Sequence, residues 1–391
     1  MRIAPNVYDA EPIPEAARAE IDRLLASGDL FRYTAPEGAP VARLEAEFAD
    51  YMGVRYALAV SSCSAALFLA LKALDLPRGA KVLIPAFTFA AVPSAVVHAD
   101  CEPVLVEVGD DLRIDLADFR AKLDGAAAVL ISHMRGHTSD MDAIMAECDA
   151  RGIPLVEDAA HSLGTLWSGK KIGTLGKIGC FSFQSYKLVN AGEGGMFVTD
   201  DPEIAARAVI MSGAYEHNWK KHPGLQNSFH HWQNRLPLYN MRMQNLSAAV
   251  IRPQIPLIDS RVQAGRSNHD YVAGRLNGSP WMQVPPSLPQ ETRAPDSLQF
   301  NLTGTWSDDE ARAFQTAAAA HGISVQVFGL SRDNARAFWN WQFLGALPDL
   351  PKTRAMLMRA CDLRLPARLV RDELDMIATA LIEAAGEVKG G

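Results

Sequence analysis

The sequence has no Cys-x-x-Cys pair, no basic stripe and no long apolar run, and each absence removes a class of protein. Its five cysteines, at 63, 101, 148, 180 and 361, are too widely spaced for a zinc ribbon, and their odd number speaks against a disulfide framework. Lys plus Arg number 38 against 45 Asp plus Glu, a net charge of −7, so the electrostatic footprint of a nucleic-acid binder is missing. No segment approaches the roughly 20 apolar residues that cross a bilayer. The first 20 residues are acidic and lack the apolar core of a signal peptide. Hydrophobic residues at 48% and charged residues at 21% are ordinary globular composition, which excludes a disordered chain, a fibre or a collagen-like repeat. The expectation is a cytoplasmic protein without membrane or nucleic-acid partners. Its 391 residues suffice for two or three domains.

The first half alternates short apolar runs with helical patterns. Strands are expected at 56–60, 81–84, 103–108, 127–132, 153–157, 180–183 and 196–199. Most are unbroken runs of Val, Leu, Ile and Ala, as in a mostly parallel sheet buried on both faces. Helices are expected at 64–74, with Ser61 and Ser62 as caps, and at 140–151. Residues 212–240 show little periodicity and predict a long loop, in which Tyr215, Trp219, Phe229 and Trp232 argue against disorder. A helix should follow over about 243–260. Short strands at 297–302 and 323–328, with helices at 308–320 and 371–387, complete a smaller α+β part. The expected division is a large α/β domain over 1–250, with 1–30 as an N-terminal arm, and a small α+β domain over 251–391.

Three stretches carry chemistry. In 180–195 an apolar strand runs into a polar turn holding Lys187, and Gly192-Glu-Gly-Gly195 leads into the next strand. Burial there would disfavour the ammonium and yield an amine nucleophile; a surface lysine is the plainer alternative. Asp158 stands at the carboxyl end of an apolar strand, where ligands of open α/β sheets bind, though Asp before Ala-Ala also suits a helix cap. Ser61-Ser-Cys63-Ser64 precedes a strong helix, whose free N–H groups would suit an anion or simply a capped start.

Together these stretches suit pyridoxal phosphate (PLP). The chain resembles the DegT/StrS family of sugar and cyclitol aminotransferases, fold type I like aspartate aminotransferase. The resemblance rests on Ser-Ser-Cys-Ser-Ala-Ala-Leu (61–67), Ile-Pro-Ala-Phe-Thr-Phe (84–89), Val-Glu-Asp-Ala-Ala-His-Ser (156–162), Gly-Cys-Phe-Ser-Phe-Gln-Ser-Tyr-Lys (179–187), Gly-Glu-Gly-Gly (192–195) and Tyr-Asn-Met-Arg-Met (239–243). It implies a mostly parallel seven-stranded sheet with helices on both faces and a smaller C-terminal α+β domain. It implies that Lys187 bonds the cofactor aldehyde and shuttles protons, and that Asp158 holds the pyridine nitrogen protonated. Phe89 would stack on the ring, with a core role as the alternative. His161 would lie beside the 3-hydroxyl, and Cys63, Ser64 and Ser182 would meet the phosphate. Asn240 would complete that phosphate site in a neighbouring subunit, making the active site part of a homodimer. The Phe-Gln-Ser-x-Lys form of the lysine motif resembles the cyclitol-type branch and the branch acting on eight-carbon keto sugars.

One departure from the family is Ser132-His-Met-Arg135-Gly-His137-Thr, where Arg135 replaces a common Tyr and His137 a small polar residue. Arg135 and His137 are candidate substrate contacts. Arg135 would take a carboxylate of the donor or of an acidic keto sugar, unless it pairs with Asp140 or Asp142. Histidines 217, 222, 230 and 231 fit no zinc spacing, and no metal is expected.

The activity implied is transfer of an amino group from L-glutamate or L-glutamine to a keto or aldehyde carbon. The acceptor would be an acidic keto sugar such as a 3-deoxy-octulosonate derivative, a nucleotide-linked keto sugar or a cyclitol. Three alternatives remain: a dehydratase, whose branch replaces the lysine by His; another PLP reaction such as decarboxylation; and a non-enzymatic PLP-binding regulator.

Overall fold

The computed structural model describes residues 5–34 and 38–390; positions 1–4 of the expected arm and Gly391 lie outside it. Seven strands form the large sheet: β1 (Tyr56–Val60), β2 (Lys81–Pro85), β3 (Glu102–Val106), β4 (Ala128–Ser132), β5 (Leu155–Asp158), β6 (Ile178–Ser182) and β7 (Gly195–Thr199). Their order is β1-β7-β6-β5-β4-β2-β3. The five strands from β6 to β3 are parallel, and β7 runs antiparallel to both β1 and β6.

Side chains alternate between two apolar cores. Val82, Ile84, Leu130, Val156 and Cys180 face one, and Leu83, Val129, Ile131, Leu155 and Phe181 face the other. A strand with apolar partners on both sides shows no polar alternation, which is why these runs read as unbroken. Helices Cys63–Ala73, Ala91–His98 and Pro202–Met211 cover the first face. Helices Pro40–Met52, Leu116–Leu123 and Met141–Arg151 cover the second.

A second, antiparallel sheet has the order β8-β9-β11-β10, from β8 (Met282–Gln283), β9 (Ser297–Leu302), β10 (Gln326–Val327) and β11 (Ala360–Arg364). Its apolar face packs on helices Asp308–Ala320 and Arg371–Lys389 and on the second half of helix Ile258–Leu276. The cores do not divide at residue 250. Val7 packs with the small sheet, whereas Phe328, Phe338, Trp341 and Leu357 pack with the large one.

Two segments differ from the sequence expectation. The helix expected over 243–260 is Asn245–Ile251, a 3-10 segment Arg252–Leu257, and then Ile258–Leu276. Pro253 and Pro256 remove two backbone donors there and break the α-helical ladder. Residues 212–240 contain a 3-10 turn, Asn218–Lys221, and a short helix, Gln226–Trp232. Burial of Trp219 and Phe229, and the bond from Trp232 Nε1 to Glu203 at 2.7 Å, hold this segment to the large core. Among the described residues no helix is long and apolar enough to cross a membrane.

Candidate active site

The carboxyl ends of β4, β5 and β6 open on a cavity of about 590 Å³. Cys63, Ser64, Phe89, Arg135, Asp158, His161, Ser182 and Lys187 all line it.

Asp158 ends β5 and is 7% exposed. Ser132, at the end of neighbouring β4, donates from Oγ to Asp158 Oδ2 at 2.8 Å, and the Ala160 N–H donates to Oδ1 at 3.1 Å. The Cys63 thiol adds a weak third donor to Oδ1 at 3.8 Å, and the three fix the carboxylate at the cavity wall. Lys187 sits in the connection between β6 and β7. Burial pushes its amine down to about 8, reinforced by Arg135, while Asp296 and Asp158 oppose the shift.

Lys187 Nζ donates to His161 Nε2 at 2.7 Å. An ammonium can only donate, so Nε2 accepts and Nδ1 carries the hydrogen, 3.4 Å from Asp296 Oδ2. Burial and the Lys187 charge push His161 down to about 3, so the ring is neutral. Burial alone would raise the Asp296 carboxyl, but His161, Lys187 and Arg135 hold it below the usual carboxylate range. Asp296 precedes β9, far along the chain from Lys187.

Helix Cys63–Ala73 starts at the cavity, with the Ser62 hydroxyl accepting from Ala65 N–H at 3.1 Å. Gly195 opens β7 directly against this start: a Cβ there would stand 2.3 Å from the Ser62 carbonyl carbon and 2.5 Å from the Cys63 nitrogen. The glycine run thus lets a strand approach the helix terminus. Burial, reinforced by Asp158, raises the Cys63 thiol, which stays protonated at neutral pH. Phe89 is 47% exposed, an apolar ring presented to the cavity rather than to the core.

Arg135 adopts φ +56°, rare for a branched-free long side chain outside glycine turns. It pairs with Asp362 on β11, not with Asp140 or Asp142. Those two are engaged elsewhere: Asp140 caps helix Met141–Arg151 through Ala143 N–H, and Asp142 accepts from Trp167 Nε1 at 3.0 Å. His137 does not reach the cavity. It is 1% exposed, with Nε2 2.9 Å from Gln299 Oε1 and Nδ1 3.1 Å from Arg293 Nη2. Its expected substrate contact is therefore replaced by a structural one, because the turn at Gly136 aims it at the small sheet. Asn240 is exposed and lies outside the cavity lining of its own chain. Its neighbour Met241 accepts from Ser61 N–H at 2.9 Å, which ties the segment to the end of β1.

The sequence reading missed Asp296, Arg336, Asp362 and Arg364. A signal existed for two of them: Cys361-Asp-Leu-Arg364 alternates apolar and charged residues as a strand with one polar face does.

The donor set suits PLP. A fixed carboxylate, a partly desolvated amine, a serine hydroxyl and an open helix start converge on one cavity, and Gly195 keeps the last of these in place.

Comparison with known proteins agrees. GDP-perosamine synthase of Vibrio cholerae is 33% identical over 254 residues, covering 64% of this chain and 66% of that protein, just under two thirds of its length. The 3-amino-5-hydroxybenzoate synthase of Amycolatopsis mediterranei is 33% identical over 71% of this chain and 69% of its own. A crystal structure of a 3-amino-5-hydroxybenzoic acid synthase superposes with a TM-score of 0.85 at 25% identity, covering 98% of this chain and all of that one. Residues 14–382 match the DegT/DnrJ/EryC1/StrS aminotransferase family, and the chain belongs to it.

Proposed function

We propose that this protein is a PLP-dependent aminotransferase that moves an amino group from L-glutamate or L-glutamine to a keto or aldehyde carbon of a sugar-type acceptor. The observation that carries the reading is the Lys187 amine, held in one cavity with the fixed Asp158 carboxylate. When bound, PLP supplies an electron sink that lets a proton leave the carbon bearing the amino group. Asp158 keeps the ring nitrogen protonated, and electrostatic preorganisation of this kind is commonly the largest catalytic contribution. Lys187 Nζ removes and returns the proton on both halves of the reaction, and neutral His161 accepts a hydrogen bond from that amine between transfers. Ser182 and the helix start at Cys63 and Ser64 would hold the phosphate, and Phe89 would cover the ring.

Asn240 completes the phosphate site of a second subunit in a homodimer; its exposure on a segment anchored to the end of β1 is compatible with that role. Free cysteines throughout fit a reducing compartment, which we take to be the cytoplasm. The place of Arg135 in the cavity lining supports an acidic acceptor. A nucleotide-linked keto sugar or a cyclitol is the competing acceptor.

The test is direct. The purified protein is incubated with PLP, reduced with borohydride and mapped by mass spectrometry. An adduct on Lys187 is expected, and nitrogen-labelled glutamate should pass its label to a keto sugar in a screen. A colourless protein without an adduct at Lys187 would falsify the reading.

A further inference from the structure

The small sheet turns a polar face to the cavity. Along β11, Cys361 and Leu363 enter the apolar core, while Asp362 and Arg364 line the cavity with Arg336. Together with Arg135 this makes three guanidinium groups against one small-sheet carboxylate. Asp362 is already committed: it pairs with Arg135 and accepts from Gln299 Nε2 at 2.9 Å.

Among the described residues, the side chains of Arg336 and Arg364 make no ion pair and no hydrogen bond. Arg336 Nε, Arg364 Nη1 and Arg135 Nε are buried donors without an acceptor. Burial, reinforced by Arg135, pushes Arg336 down to about 10, and burial lowers Arg364 as well. The Arg364 guanidinium is 4.7 Å from the ring centre of Tyr186, the residue before Lys187. That contact holds its guanidinium at the wall of the cavity that Lys187 also lines. Buried guanidinium groups stay charged; Asp362 acts on Arg336 and Asp296 on Arg364 only through space, so their donors stay free for an oxyanion that enters the cavity. The residues assigned to the cofactor come from the large sheet, so this pair is not needed to hold it.

We propose that Arg336 and Arg364 form an oxyanion subsite that grips an acidic group of the substrate while its reacting carbon lies at Lys187. The inference rests on the aminotransferase reading. The acidic group has three sources: a carboxylate of the amino donor, a carboxylate on a sugar, or the diphosphate of a nucleotide-linked sugar.

The experiment measures binding to the PLP-loaded protein by calorimetry. Glutarate stands for the donor, D-glucuronate for a sugar acid and uridine diphosphate for the nucleotide. D-Glucose is the neutral control. The unsubstituted protein should bind at least one anion, and Arg336→Gln and Arg364→Gln should each weaken it about tenfold or more. Arg336→Lys and Arg364→Lys should recover part of the loss, which separates charge recognition from a folding defect. The anion that loses affinity identifies the source. Binding of no anion by the unsubstituted protein, or equal binding by the Gln variants, overturns the subsite. Cofactor absorbance and the Lys187 adduct are read on the same samples. If they persist while anion binding is unaffected, the subsite fails and the aminotransferase reading stands. If no adduct forms, that reading fails whatever the anions do.

Discussion

Lys187 Nζ stands 2.7 Å from His161 Nε2, and the far nitrogen of the same ring faces Asp296 at 3.4 Å. The line joins a turn of the large sheet, the helix-side end of β5 and the first residue before β9. It gives the Lys187 amine a neutral acceptor and, behind the ring, a negative charge. Asp296 raises the Lys187 pKa and burial lowers it, and burial wins.

Replacing Asp296 should therefore make the amine more readily neutral. With Asp296→Asn the midpoint of Lys187 should fall below its value of about 8. The yield of borohydride-trapped PLP adduct, measured against pH on protein freed of cofactor, should climb through about pH 8 in the natural protein. In the variant it should climb at lower pH. Coincident profiles would remove Asp296 from the relay.

Lys187 itself costs stability where it is charged. Its folded pKa of about 8 lies below the ordinary 10.5, so between these values the unfolded chain holds more protons than the folded one. Stability then rises with pH across that window, and the full cost is present below it. Cofactor-free Lys187→Met should unfold at a higher temperature at pH 7, with the gain shrinking towards pH 10.5. The same variant should show no transamination and no reducible adduct. A melting temperature below that of the natural protein at neutral pH would contradict the buried-amine account.

Asp158→Asn keeps the shape and removes the charge. An amide cannot hold a ring proton, and turnover should fall by at least about 10²-fold, as for loss of a preorganised electrostatic group. Ser132 Oγ would still find an oxygen to donate to, so folding should be little changed. A loss of only a few-fold in kcat would assign the ring nitrogen to another group.

Arg135 and Asp362 form a buried pair, with side chains 10% and 7% exposed. Removing one partner of such a pair costs about 3–5 kcal/mol. Arg135→Leu should lower stability by that order in chemical unfolding, and Asp362→Asn added to it should return part of the loss. If Arg135 also holds substrate, KM for an acidic acceptor should rise in the single variant. Unchanged KM for both substrates would leave Arg135 a purely structural residue.

The large sheet was legible because its strands are buried on both faces. Tyr56–Val60 was read to the residue, and the other six were read to within two residues at each end. Lys187, Asp158 and the 61–64 stretch stood out because a strand end, a polar turn and a helix start each leave a local mark. The proline-broken stretch at 252–257 was misread because apolar periodicity outweighed two missing donors. Residues 212–240 carry no helical periodicity because a seven-residue helix such as Gln226–Trp232 is stabilised by Glu203 and the large core, not by its own propensity.

The sequence by itself determined the parallel sheet and singled out Lys187 in a polar turn and Asp158 at a strand end, since each of these marks depends on neighbours only a few positions away. The tertiary structure alone decided that His137 turns away into Gln299 and Arg293, that Asp296 stands behind His161, and that Arg336, Asp362 and Arg364 join the cavity. Those residues lie more than 100 positions beyond Lys187 and are brought to it by packing of the small sheet, which no local pattern encodes.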